Sequence, residues 1–246
     1  MKLIERKFAL VLLAGAALSV GIFAGCSDGS SGGDDDPVTA DKSNDSKHDE
    51  ANLSTVTAEE LSFQSGVYNY TMTIKFPEEE GVLKITADSE IQYKGTESHT
   101  TKGTLTFGSS PKTSPVKMKY QEESHTLIFS SKEYYDAFYA QKDAAEANMK
   151  YNLTHNGWNI ADIKCSWDEK NRSVTVTGKD LDESEEESMS YDEFFEIFEL
   201  DEDEDGDVTY TDRKIQQNAS GTVIVVSCTE NDGGDISYWT VRIEKQ

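Results

Sequence analysis

The chain has 246 residues, enough for one medium domain or two small ones, and its 47 acids against 23 bases give a formal charge of −24. Acidity of this degree repels nucleic acid and anionic lipid headgroups, which excludes both as direct partners of the chain as a whole. It fits an exported protein, a metal binder or a binder of cationic surfaces, and does not choose among them.

Residues Met1 to Gly25 open with Lys2, Arg6 and Lys7 and continue with an apolar run from Phe8 to Phe23. This pattern predicts a secretory signal, to be set aside from the fold. It ends in Phe23-Ala24-Gly25-Cys26. After such a leader, these four residues resemble the lipobox of bacterial lipoproteins. The resemblance implies cleavage before Cys26, acyl chains such as palmitate on its thiol and amine, and a place in the cell envelope. Several acyl chains hold a protein on a bilayer far more firmly than one does. Ser27 favours the outer membrane or cell surface over the inner membrane. Ordinary secretion and an uncleaved anchor are the other readings of the same segment. Removing residues 1–25 takes away three bases and one acid and leaves a charge of −26.

Residues 26–56 are rich in Gly, Ser and Asp and almost free of apolar side chains. Such a composition cannot offset its ordering entropy by burial, which predicts a flexible acidic tether. Thr57-Ala58-Glu59-Glu60 has the order of a capping box, so the folded domain is expected to span 57–246.

From Gly66 onward the dominant period is two. Tyr68, Tyr70, Met72, Ile74 and Phe76 alternate with Asn69, Thr71, Thr73 and Lys75. Val116, Met118 and Tyr120 alternate with Lys117 and Lys119, and shorter pieces surround Leu83, Leu105, Val174 and Trp239. One apolar and one polar face per strand is the pattern of antiparallel sheet with one side wet. Three hairpins are expected, with turns at QEESH (121–125), DEKNR (168–172) and TENDGGD (229–235). Cys165 shares a face with Ile163 and Trp167, and Cys228 with Ile224 and Val226. Both thiols are expected inside, as a disulfide in an oxidising compartment or as two small apolar residues.

Two helices interrupt. Ser130-Ser131-Lys132-Glu133 begins one that carries Tyr134, Phe138, Ala145 and Met149 at helical spacing, a core stripe rather than a ligand box. Ser190-Tyr191-Asp192-Glu193 begins the second, within a helix-plus-acidic-loop insertion over 180–215. The expected fold is mainly β, an antiparallel barrel or sandwich of about ten short strands with two helices.

Between Asp180 and Asp212 there are 17 acids and no Lys or Arg. One reading is a solvated acidic run. The order of residues supports another. In a twelve-residue calcium loop the ligands fall at positions 1, 3, 5, 7, 9 and 12, with Gly at 6 for the turn. Counted from Asp201, those positions hold Asp201, Asp203, Asp205, Asp207, Thr209 and Asp212, with Gly206 at 6. Phe194, Phe195, Ile197, Phe198 and Leu200 precede them as a short apolar helix. The segment Ser190 to Ile215 resembles the EF-hand family, and its Asp closure resembles the dockerin-type loops of bacteria. The resemblance implies a structural Ca²⁺ bound by those six residues, followed by an exit helix over RKIQQNAS.

His48, His99, His125 and His155 form no paired motif and read as isolated surface residues. No nucleophile elbow, P-loop or dinucleotide fingerprint is present. Eleven Tyr suit half-buried strand positions, or the wall of a carbohydrate or apolar-ligand pocket. The expected function is non-enzymatic: a lipid-anchored envelope protein with a binding or structural role, touching the membrane through its lipid and binding no nucleic acid. The alternative is a lipocalin-like barrel that carries a small molecule, its acidic loop binding no metal.

Overall fold

The computed structural model describes residues 53–86, 89–155, 160–180, 187–196 and 208–246. Cys26 and the tether up to residue 52, and Asp201, Asp203, Asp205 and Asp207 of the acidic loop, lie outside the described residues.

The chain is mainly β, as its alternation predicts. Ten strands are described: β1 (Leu53–Thr55), β2 (Gly66–Thr86), β3 (Ser89–Phe107), β4 (Val116–Phe129), β5 (Ile160–Asp168), β6 (Ser173–Asp180), β7 (Glu187–Met189), β8 (Val208–Asn218), β9 (Val223–Asp232) and β10 (Asp235–Lys245). They form one antiparallel sheet in the order β1-β8-β9-β10-β2-β3-β4-β6-β5, with β7 beside β4. Because β1 and β5 end the path and do not pair with each other, the barrel is not closed, and the architecture is sandwich-like. Among the described residues the helices are α1 (Lys132–Tyr139), α2 (Lys142–His155) and α3 (Tyr191–Glu196).

Several expected boundaries move. The domain begins before residue 57, since Leu53 pairs with Asn218. Thr57 N does donate to Glu60 Oε2 at 2.9 Å, but the box closes a turn and not a helix. The expected helix after Ser131 breaks at Ala140 and Gln141 into α1 and α2. QEESH is no turn: β4 runs through it, absorbing one extra residue as a bulge where the register shifts beside Lys102 and Gly103. The hairpins β5–β6 and β9–β10 form as expected.

Three apolar clusters occupy the inner face. One gathers Tyr68, Leu105, Phe107, Val116 and Ile224 beneath Phe63 and α3; Phe63 stacks on Phe107 at 4.4 Å, and Phe194 meets both edge-on. A second joins Leu83, Tyr93, Leu127 and Phe129 to Tyr135, Phe138, Ala145 and Met149 of α1 and α2. The expected helical stripe is therefore core, with Tyr135 more deeply buried than Tyr134. The third is Met72, Ile74, Cys228 and Trp239. Glycines let the long strands pack tightly. A Cβ on Gly103 would lie 2.5 Å from Cε1 of Tyr70, the residue paired with it on β2.

The pairings define a register row across seven strands: Cys228, Trp239, Ile74, His99, His125, Val176 and Cys165. Both cysteines are free thiols. Six strand spacings separate them, about 29 Å along the sheet, whereas a disulfide needs Cα atoms within about 7 Å. The Cys165–Cys228 bond is thus corrected. Each thiol packs in a different cluster, and burial pushes that of Cys228 up to about 11, with help from Glu230.

Candidate functional site

The titratable groups that the fold brings together lie in the middle of that row. On β3, Glu97, His99 and Thr101 continue the inward phase of Leu105 and Phe107. On β4, Glu123 and His125 continue that of Leu127 and Phe129. His99 and His125 pair in register, and their rings stack with centroids 3.9 Å apart and planes 8° from parallel. Phe76 meets His99 edge-on at 5.2 Å. The histidines are 6% and 8% exposed, so their reading as isolated surface residues is overturned.

A short network ties the pair down. Thr101 Oγ1 donates to Glu123 Oε2 at 2.6 Å, and Glu123 Oε1 lies 3.2 Å from His125 Nε2. Glu97 accepts from the Tyr93 hydroxyl at 3.3 Å. His99 Nε2 and His125 Nδ1 are buried without a hydrogen-bond partner.

Burial sets the protonation of the band. It lowers His99 to about 3, with the neighbouring His125 adding to the effect, and lowers His125 to about 4. It raises Glu123 to about 7 against the hydrogen bond from Thr101, and Glu97 to about 7 against that from Tyr93. All four groups favour the neutral form because charge is costly in a low dielectric. Glu123 and His125 thus share one hydrogen bond in which both groups are pushed toward the neutral form.

A second polar knot sits at the far end of the sheet. Glu230, 1% exposed, accepts from Ser237 Oγ at 2.7 Å and Trp239 Nε1 at 2.5 Å, with Tyr210 at 3.4 Å. Neutral donors satisfy this carboxylate, which makes it a strut between β8, β9 and β10.

The sequence-predicted metal residues fare unevenly. Ser190 and Glu193 form the expected capping box, at 2.7 and 3.1 Å, and start α3. The exit helix is corrected: residues 208–218 are strand β8. Thr209 pairs with Asn231, and Asp212 sits in a bulge at φ 52°, its Oδ2 accepting from Thr229 at 3.5 Å. Among the described residues, no group of three or more His, Cys, Asp or Glu is placed to hold a metal ion.

The alternation could have exposed the histidine band. Glu97-x-His99-x-Thr101 lies in phase with Leu105, and Glu123-x-His125 in phase with Leu127. Polar residue type concealed it. Comparison of the chain with protein-family models, curated proteins and solved structures returns no match.

Proposed function

We propose that this chain is a lipid-anchored protein of a bacterial envelope with a binding or structural role and no catalytic one. The observation that carries the reading is Phe23-Ala24-Gly25-Cys26 at the end of a basic-then-apolar leader, 27 residues before the first described strand at Leu53. Cys26 would bear the acyl chains, and the intervening Gly/Ser/Asp stretch would hold the sheet away from the bilayer. The histidines and carboxylates that the fold assembles are largely shut away within it, where they support architecture better than substrate chemistry. The carrier alternative has lost its closed barrel.

The calcium part of the proposal places the ion on Asp201, Asp203, Asp205, Asp207, Thr209 and Asp212, with Gly206 at the turn. Six acids in seven residues repel one another by about 1 kcal/mol per close pair even in water, and a bound Ca²⁺ relieves this. Outside a cell, an affinity of about 10⁻⁴ to 10⁻³ M is sufficient for a structural site. The anchoring is tested by fractionating cells that express the chain and its Cys26→Ser variant. The wild type is expected in the membrane fraction with labelled palmitate attached and the variant without label. Label on both, or on neither, overturns the proposal.

A further inference from the structure

The first part of the described chain is laid onto the domain by few contacts. β1 ends the strand order, with β8 as its one neighbour among the described residues. Three register pairs hold it, Leu53 with Asn218, Ser54 with Gln217 and Thr55 with Gln216. Val56 N adds one bond, donated to the Ile215 carbonyl at 3.0 Å. The chain then turns at 58–60, and two side chains return to the core, Leu61 and Phe63. Between them Ser62 meets the β8–β9 turn. Its carbonyl accepts from the buried Gln217 amide at 2.6 Å and would lie 3.0 Å from a Cβ on Gly221.

Phe63 is the knob of this segment. Phe107 stacks on it at 4.4 Å, and Tyr68, Tyr191 and Phe194 meet it edge-on at 6.1, 6.3 and 5.5 Å. Gly66 follows at φ 131°, where the chain enters β2. Glycine takes that conformation freely and other residues do not, so the segment ends on a swivel.

The far end of the chain is held more firmly. β10 has ten register pairs with β9 and eight with β2. Direction adds to the contrast. Ser54, Gln217, Ile224 and Ile243 share one register row. β1 therefore enters the sheet at the end where β10 leaves it, three strand spacings or about 14 Å away. A pull between Leu53 and the C-terminus runs across the strands and opens β1 from Leu53 one pair at a time. Pairs loaded in turn yield at a lower force than pairs loaded together.

We infer that residues 53–65 form a strap that releases as a unit, swivelling at Gly66, when tension reaches the domain through the chain before Leu53, while the rest of the sheet stays folded. Extended, these residues add at most about 45 Å of reach. A pull on the anchor is then met first by a short, re-formable segment and not by the core. The inference rests on the proposed lipid anchor for the source of the tension, and its test does not.

The full-length Cys26→Ser chain, in neutral detergent with a handle on each terminus, is stretched in an optical trap. A reversible step of at most about 45 Å is expected before the main rip. Phe63→Ala is expected to speed that step about tenfold or more at a given force and to leave the main rip unchanged, because Phe63 has left the core before it. Thr55→Cys/Gln216→Cys, oxidised across the register pair, is expected to remove the release of β1 from the step and to restore it on reduction. A single rip from the intact domain overturns the inference. So does a first step longer than the strap, a first step indifferent to the oxidised pair, or a folded Phe63→Ala chain whose main rip falls in force while its first step does not change.

Discussion

The imidazoles of His99 and His125 lie face to face at the centre of the sheet, 3.9 Å apart and within 8° of parallel. Burial holds both neutral, at about 3 and about 4, whereas the unfolded chain protonates them near 6.5. Below 6.5 the unfolded state thus binds more protons, and stability falls as pH drops toward 3. Glu123 acts in the opposite sense. Raised to about 7, it stabilises the fold below its unfolded value near 4.5, and this contribution is lost as pH rises through 7. The two effects partly offset between 4.5 and 6.5, so acid loss is steepest below 4.5. At pH 4, His99→Phe/His125→Phe is expected to raise the melting temperature by about 5 °C or more, and by less at pH 7. Equal changes at both pH values would remove the histidines as the cause.

Gly103 is fixed by the Tyr70 ring that lies across it. Gly103→Ala would force its Cβ against that ring and against the Lys119 carbonyl on β4. Overpacking of this kind is expected to cost about 1 to 3 kcal/mol, read in a denaturant titration at pH 6. A midpoint shift within error would mean that β2, β3 and β4 do not approach as described.

The two core cysteines should both be reactive once the chain is opened. Denatured without reductant, the Cys26→Ser chain is expected to yield two titratable thiols, from Cys165 and Cys228. A count of zero would require these residues to meet, and with them the two distant ends of the inner register row.

Asp162 on β5 and Asp212 on β8 occupy equivalent places, each at a bulge near the sheet's margin with φ 51° and 52°. Left-handed backbone costs about 1 to 2 kcal/mol for an ordinary side chain and little for glycine, and bulges of this kind blunt strand edges against unwanted pairing. Asp212→Ala is expected to lower stability without calcium by about 1 kcal/mol and Asp212→Gly to preserve it, both weakening calcium uptake in calorimetry. Asp203→Ala/Asp205→Ala is expected to abolish that uptake. Uptake unchanged in both Asp212 variants would remove Asp212 from the ligand set.

Much of this was legible in residue order. Alternation located the strands, Ser131 and Ser190 marked helix starts, and the Gly233-Gly234 hairpin was plain. Three features were not. QEESH is turn-like in composition, and only the change of phase from Met118 and Tyr120 to His125 and Leu127 betrays a bulge in place of a turn. The loop-and-helix pattern at 201–220 competed with strand propensity in Val208, Tyr210 and Ile215, and pairing with β9 won. The row linking Cys228 to Cys165 depends on six separate registers, which no single segment encodes.

The central claim, that Cys26 is the point of attachment to the envelope, is tested most directly by the intact mass of the N-terminal peptide from bacterially expressed protein. The account predicts that residues 1–25 are missing and that the peptide begins at Cys26 carrying thiol- and amine-linked acyl chains. A peptide beginning elsewhere, or Cys26 with a free thiol, would contradict it.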